Sequence, residues 1–289
     1  MGRNPHVERE RERRIDNFSA LPEGCISQIL SMASPRDACR SSAISPLFKS
    51  AADSDGVWEK FLPSNYRQII SRSVSPVVFP TKKHLYLSLC DSPLLLDGGK
   101  LSFALDRESR KKCCTLPARG LKIAQKDKPR YRKWISLPDS RFSEVAQFLL
   151  VPWLDIWGRI NTAMLSANTT YAAYLIFKIT DHCGLKSLQG KSSVRLVKEL
   201  EDGYPDDLSC TVYLTLGTVR SLPREQNGRL PQMRRDGWME IELGEFYNDE
   251  GDEGEVEMRL KKVRRSKIGR IEKGRLIVEG IEVRPKDIA

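Results

Sequence analysis

Residues 19–63 hold three or four helices, each too short to be stable alone and each with its own start signal. Leu21-Pro22-Glu23 opens the run, and Ile26, Ile29, Leu30 and Ala33 recur at the i, i+3, i+4, i+7 spacing of one helix face. Ser34-Pro35-Arg36-Asp37 follows, with a Ser N-cap, a Pro at the first helical position and an acid at the third. Ser45-Pro46 repeats the device ahead of Leu47, Phe48, Ala51 and Ala52. Asp53-Ser54-Asp55-Gly56 breaks that helix, and Val57, Trp58, Phe61 and Leu62 close the segment before Pro63. Helices this short bury little apolar surface by themselves. They need a partner, either the rest of the chain or another protein.

The rest of the chain turns from helix to strand. A connector over residues 64–112 carries one short helix at Lys82–Leu89 and one alternating strand at Leu101, Phe103 and Leu105, after the Asp97-Gly98-Gly99 turn. From about residue 113 period two dominates. Leu154, Ile156, Gly158 and Ile160 share one strand face, and Trp153, Asp155, Trp157 and Arg159 the other. Tyr171–Ile179 is apolar enough for a central strand covered on both sides. Residues 211–216, 238–243 and 256–260 alternate again. In the last segment Leu276 and Val278 oppose Ile281 and Val283 in parity, so a β-bulge is expected at Gly280. Ser143–Leu150 reads as a helical exception, with Val145, Phe148 and Leu149 on one face. Many short strands with turns between them point to an antiparallel sandwich or barrel.

The net charge of +10 is unevenly distributed. Arg107–Lys133 carries eleven Lys/Arg against two acids, and Arg259–Arg275 nine against one. Between them Glu245–Glu257 has seven acids and no base. Solvated strand faces and loops account for these clusters better than nucleic-acid binding, because no base-stacking aromatics interleave with them. Seven scattered cysteines without a CxxC pair, and only three histidines, offer no metal-ligand spacing. Cys25 and Cys39 read as small buried residues. No apolar run is long enough to span a bilayer, and residues 1–18 read as a mobile charged leader and not a secretory signal. Reduced thiols in cytosol or nucleus follow as the expectation.

The order of signals over residues 21–63 (Leu-Pro opening, amphipathic helix, Ser-Pro-Arg-Asp turn, Ser-Pro helix start, Val-Trp) resembles an F-box. That module joins substrate receptors to cullin-RING ubiquitin ligases through a Skp-type adaptor. The resemblance implies adaptor contacts at Leu21, Pro22, Ile26, Ile29, Leu30, Val57, Trp58 and Phe61, rimmed by Arg36, Asp37 and Glu59.

A second resemblance covers residues 113–286. ARGLKI at 118–123, WISLPDSRFSEVAQFL at 134–149, WLDIWGRI at 153–160, YAAYLIFKITD at 171–181, DGWMEIELGEFYNDEGDEGEVEMRL at 236–260 and GRLIVEGIEVRPK at 274–286 carry it. They are similar to the Nictaba-related phloem protein 2 family of plant lectins. That family implies a jelly-roll-like β-sandwich that binds N-acetylglucosamine oligomers and N-glycan cores. The expected architecture is therefore α+β and multidomain: leader 1–18, all-α F-box module 19–63, connector 64–112 and antiparallel β-sandwich 113–289.

The family's sugar site uses two stacking tryptophans and two glutamates. Here those positions hold Gln125, Arg132, Glu255 and Lys262, so only Glu255 is retained, while Trp134 survives from a neighbouring motif. An indole offers a flat apolar face to a pyranose, which Gln125 cannot replace. Trp134 and Trp238 read as core residues; Trp153 and Trp157, with Asp155 between them on one strand face, could cradle a ring, but burial between the sheets is the favoured reading. The Asp249–Glu257 run lacks EF-hand spacing and reads as an exposed turn.

No nucleophile elbow, P-loop or HExxH motif is present, and no motif proposes a carboxylate pair for glycosidase chemistry. The expectation is a non-catalytic receptor without cofactor or metal. Its partners are a Skp-type adaptor, through it a cullin, and a target taken through a glycan or a protein surface; neither membrane nor nucleic acid is among them. The competing reading is a free lectin for N-acetylglucosamine oligomers.

Overall fold

The computed structural model describes residues 21–124, 132–150, 154–179, 188–197, 209–214, 228–249, 254–262 and 273–286. The expected leader lies outside them. The Ser-Pro signals set the helices where the sequence places them: α1 Glu23–Ser31, α2 Pro35–Ser41, α3 Pro46–Asp53 and α4 Asp55–Phe61. Ser34 Oγ accepts the Asp37 N–H at 3.0 Å and donates to its carboxylate at 2.7 Å, which closes the start of α2. Ser45 Oγ accepts the Phe48 N–H at 3.3 Å and caps α3.

The segment expected as a connector is built into the fold. It supplies helices α5 Tyr66–Ser71 and α6 Lys82–Asp91, then strands β1 Leu94–Leu96 and β2 Leu101–Leu105. Thr81 Oγ1 accepts the His84 N–H at 3.3 Å to start α6. Between the two strands, Asp97, Gly98 and Gly99 all adopt positive φ, the conformation their types tolerate best. Both strands belong to the main sheet, so the sheet begins at Leu94 and not near residue 113.

Twelve further strands complete the sandwich: β3 Lys112–Pro117, β4 Lys122–Ile123, β5 Arg132–Ile135, β6 Val145–Leu150, β7 Asp155–Asn161, β8 Thr169–Ile179, β9 Leu188–Leu196, β10 Cys210–Leu214, β11 Gln232–Met233, β12 Met239–Asn248, β13 Glu255–Lys262 and β14 Lys273–Pro285. One sheet runs β1-β2-β3-β14-β8-β12-β11, with β6 on β14 and β5 on β6; the other runs β10-β9-β13-β7-β4. Every pairing between these strands is antiparallel. The architecture is a helical F-box-like region followed by an antiparallel sandwich, as expected.

Residues 143–150 are the clearest correction, because the helix expected there is strand β6. Val145 joins a small cluster on the outer face of the larger sheet, with Ile176, Trp238 and Ile277, whereas Ala146 and Phe148 enter the main core. A strand buried on both faces loses its alternation, and its apolar residues then imitate helical spacing. The bulge expected at Gly280 is present: the β14–β8 register shifts between Val278 and Gly280.

Among the described residues the larger buried cluster joins the helices to the sheets. Ile26, Trp58, Phe61 and Tyr86 of the helices belong to the same buried cluster as Phe103, Ile156, Leu175 and Val283 of the sheets. Trp58 meets Phe61 edge-on and Tyr86 at a tilt, each with ring centroids 5.4 Å apart. The turn between β2 and β3 reaches back to the helices: the Tyr86 hydroxyl donates to the Arg107 carbonyl at 2.9 Å, and the Arg110 guanidinium lies 5.4 Å from the Phe61 ring.

Candidate functional site: a helical docking face and a lectin-type sandwich

Helix α1 has two faces with different uses. Ile26 and Leu30 point into the core, and Ser27 Oγ reaches the Ala51 carbonyl on α3. Cys25, Gln28, Ile29 and Met32 share the opposite side, where Ile29 is 49% exposed and Met32 76%. Ile44, after α2, is 63% exposed. Cys25 is thus a surface residue and not a buried one.

The eight side chains expected to meet an adaptor therefore do not form one outward patch. Val57, Trp58 and Phe61 fill the chain's own interior together with Ile26 and Leu30. Trp58 Nε1 also donates to the Ala52 carbonyl at 2.6 Å. Leu21 is half-buried, and only Pro22 and Ile29 are open to a partner. Spacing alone identifies an apolar stripe but not the width of the face that neighbouring helices cover. Met32 and Ile44 were missed; their large apolar side chains beside capped, polar turns were the available signal.

The expected rim is engaged within the chain. The Asp37 carboxylate accepts the Ser34 hydroxyl at the start of α2, and Arg36 lies 4.0 Å from Glu108 of the β2–β3 turn. Glu59 is hydrogen-bonded to Lys82, and this contact holds its carboxyl below the usual range.

On the sandwich, the four described positions expected around a sugar divide between the two sheets. Arg132 and Trp134 are together on β5, with the Arg132 guanidinium 4.7 Å from the indole centroid. Arg119 stacks on the same indole at 3.8 Å and is held there by Glu144 at 2.7 Å. Trp134 is half-buried and also packs against the core. Its ring already has two cations as neighbours. Glu255 and Lys262 open and close β13 in the other sheet, about 23 Å apart along the strand. Glu255 is exposed and lies 3.6 Å from Arg159. Gln125 lies outside the described residues, as does Trp153.

Trp238 is buried, as read, and its Nε1 donates to the Asp139 carbonyl at 3.0 Å. Trp157 is not a core residue. It stands half-exposed on the outer face of the smaller sheet, because the inward positions of β7 are taken by Ile156, Gly158 and Ile160. No cluster of His, Cys, Asp or Glu able to hold a metal occurs among the described residues.

A polar cavity of about 270 Å³ on the outer face of the larger sheet was also not anticipated; Tyr174, Arg229, Glu240, Glu242 and Arg284 line it. Arg284 stacks on Tyr174 at 3.8 Å and grips Glu240 through two hydrogen bonds of 2.6 and 2.8 Å. Burial alone would raise the Glu240 carboxyl, but Arg284 and then Arg234 outweigh it and hold the group below its usual range. A depressed carboxyl stabilises the fold above its unfolded value, and that contribution disappears as pH falls through the folded one. Glu240→Gln is therefore expected to lower the urea midpoint at pH 7. The gap to the wild type should close as pH is taken below about 4.

The phloem protein 2 family matches residues 111–285 and the F-box domain residues 18–60. Three Arabidopsis thaliana relatives align over nearly the whole chain. F-box protein PP2-B10 is 40% identical and covers 100% of both chains. F-box protein VBF is 40% identical over 92% of this chain and 99% of its own length. F-box protein SKIP3 is 40% identical over 94% and 89%. The two modules match in the order in which the chain folds, helices first and sandwich second, and the chain belongs to the F-box proteins of the phloem protein 2 family.

Proposed function

We propose that this protein is a substrate-receptor subunit of an SCF-type cullin-RING ubiquitin ligase. The observation that supports the reading best is the pairing of an F-box with a lectin-type sandwich, shared over its full length with F-box protein PP2-B10. In this reading the F-box grips a Skp-type adaptor and, through it, a cullin, while the sandwich presents the target. The mechanism is positional: the receptor raises the local concentration of a target beside a charged ubiquitin carrier and contributes no reacting group of its own.

The docking contact falls to the outward residues Pro22, Ile29, Met32 and Ile44, with the half-buried Leu21 beside them. Burying exposed side chains of this size against a partner contributes about 1.5–3 kcal/mol each. The double variant Ile29→Asp, Met32→Asp should abolish co-purification with the adaptor and leave the urea midpoint unchanged. Retained co-purification with both charges in place would refute this assignment of the interface.

The lectin reading is supported by the fold and by Glu255 and Trp134, but the site chemistry opposes neutral sugars. Arg119 and Arg132 occupy the neighbourhood of the one surviving indole. Stacking a pyranose there would displace a guanidinium held by Glu144. Titration of the full chain with N-acetylglucosamine trimer is expected to show no saturation up to about 1 mM, an affinity of roughly −4 kcal/mol.

A further inference from the structure

The outer face of the smaller sheet carries a charge pattern that the F-box does not explain and of which the family's sugar positions account for Glu255 alone. Trp157 is at its centre. Antiparallel register places Lys122 of β4 on one side of it and Arg259 of β13 on the other. The Lys122 ammonium lies 4.3 Å from the indole centroid and the Arg159 guanidinium 5.4 Å. The neighbouring rows align Arg159 with Glu257, and Asp155 with Lys261 and Lys191.

Five exposed or half-exposed cations share this face: Lys122, Arg159, Lys191, Arg259 and Lys261. Three carboxylates stand among them. Asp155 takes Arg259 through two hydrogen bonds of 2.8 and 2.6 Å, and Glu257 takes Arg159 at 2.9 Å. Glu255 approaches Arg159 at 3.6 Å. These pairs fix the guanidinium planes beside the indole. Among the described residues the three lysines have no ion pair, so the face keeps a net positive charge around one aromatic platform.

We propose that this face binds an acidic oligosaccharide, with a uronate ring stacked on Trp157 and its carboxylate on Lys122. Each part of the pattern matches one part of such a ligand. The indole accepts the apolar side of a pyranose on the face that Lys122 vacates. Unlike Arg119 beside Trp134, which Glu144 holds, the Lys122 ammonium has no ion pair among the described residues and turns from the ring to the ligand's carboxylate. The lysines complement carboxylates repeated along a chain. The interleaved carboxylates of Asp155, Glu255 and Glu257 accept sugar hydroxyl protons. Acceptors beside the indole suit the hydroxyl groups that each sugar ring offers better than the phosphodiester groups of a nucleic acid, which donate no hydrogen bond. The inference depends on the receptor reading only for the purpose of the binding: it would make an acidic glycan the feature by which a target is taken.

The test uses the full chain, the wild type and two variants, with indole fluorescence and calorimetry. Trigalacturonate is expected to bind, and to bind more weakly as salt is raised through the range where the screening length falls to about 3 Å. Trp157→Ala should weaken it by about tenfold or more. Lys122→Glu, an exposed change at a strand edge, should weaken it by about fivefold or more while preserving the urea midpoint. Absence of trigalacturonate binding would overturn the proposal, as would affinity unchanged by Lys122→Glu, or tighter binding of oligouridylate than of the uronate. Adaptor co-purification measured on the same preparations separates these outcomes from failure of the receptor reading, because neither variant touches the helical face.

Discussion

Gly280→Ala should unfold the sandwich or come close to it. A Cβ at this position would sit 2.1 Å from the Leu116 carbonyl oxygen, and the contact is backbone against backbone, so no side chain can rotate away. β14 lies between β3 and β8 in the larger sheet, with Gly280 opposite Pro117 on one side and Ile176 on the other. Relief would require one of those ladders to open. Overpacking in a core costs about 1–3 kcal/mol where neighbours can yield. Here about 3 kcal/mol or more is expected, a large fraction of the 5–15 kcal/mol typical of a domain. Gly120→Ala is the control, since its Cβ would meet only Pro117 ring carbons at 3.7 and 3.8 Å. Urea denaturation should place the control within about 0.5 kcal/mol of the wild type. Equal midpoints for the two variants would contradict the close approach at the bulge.

Trp58→Ala is expected to act at the other end of the chain and by a different route. The side chain is fully buried, meets Phe61 and Tyr86, and satisfies the Ala52 carbonyl with its Nε1. Removing a buried indole costs about 3–5 kcal/mol through lost contacts and the cavity left behind. A stranded carbonyl adds about 1–3 kcal/mol. The result should be loss of helical circular dichroism, a lowered urea midpoint and loss of adaptor binding together. That combination separates Trp58 from a contact residue such as Ile29, whose replacement should remove adaptor binding alone. If Trp58→Ala lost the adaptor and kept full stability, the residue would be a docking contact after all.

Much of the architecture was legible because local signals and long-range packing agree. Ser34 and Ser45 cap the helices that they announce in the sequence. The alternation at 154–160 is the burial pattern of β7, and the parity slip at Gly280 is the bulge itself. Legibility failed where one element packs on two sides. β6 has apolar residues on both faces, so its pattern mimicked a helix. The strand at Leu101–Leu105 was placed in a connector and Leu94–Leu96 was not read as strand, because nothing local in either says that the hairpin they form pairs with β3 in the main sheet.

The sites were harder still to read. Periodicity found the apolar stripe of α1 but not which of its members α3 and α4 would cover, so buried Ile26 and exposed Ile29 looked alike. Trp157 seemed interior from its hydrophobicity alone, and its partners come from strands more than thirty residues before it and a hundred after it. Glu240 and Glu242 alternate with buried Ile241 in β12, yet Arg284, which encloses Glu240, lies forty-four residues further along the chain. Sequence spacing reports neighbours along a strand. It says little about neighbours across one.

The clasp between the β2–β3 turn and the helices has a mechanical consequence. With Tyr86 fastened to the Arg107 carbonyl and Arg110 laid over Phe61, the helical end and the sandwich are packed on each other over a shared core. The chain is then a bracket and not a tether. On the receptor reading proposed above, these contacts set the separation and bearing at which a protein held on the sandwich is offered. On that reading, which of its lysines come within reach depends on where the bracket takes hold.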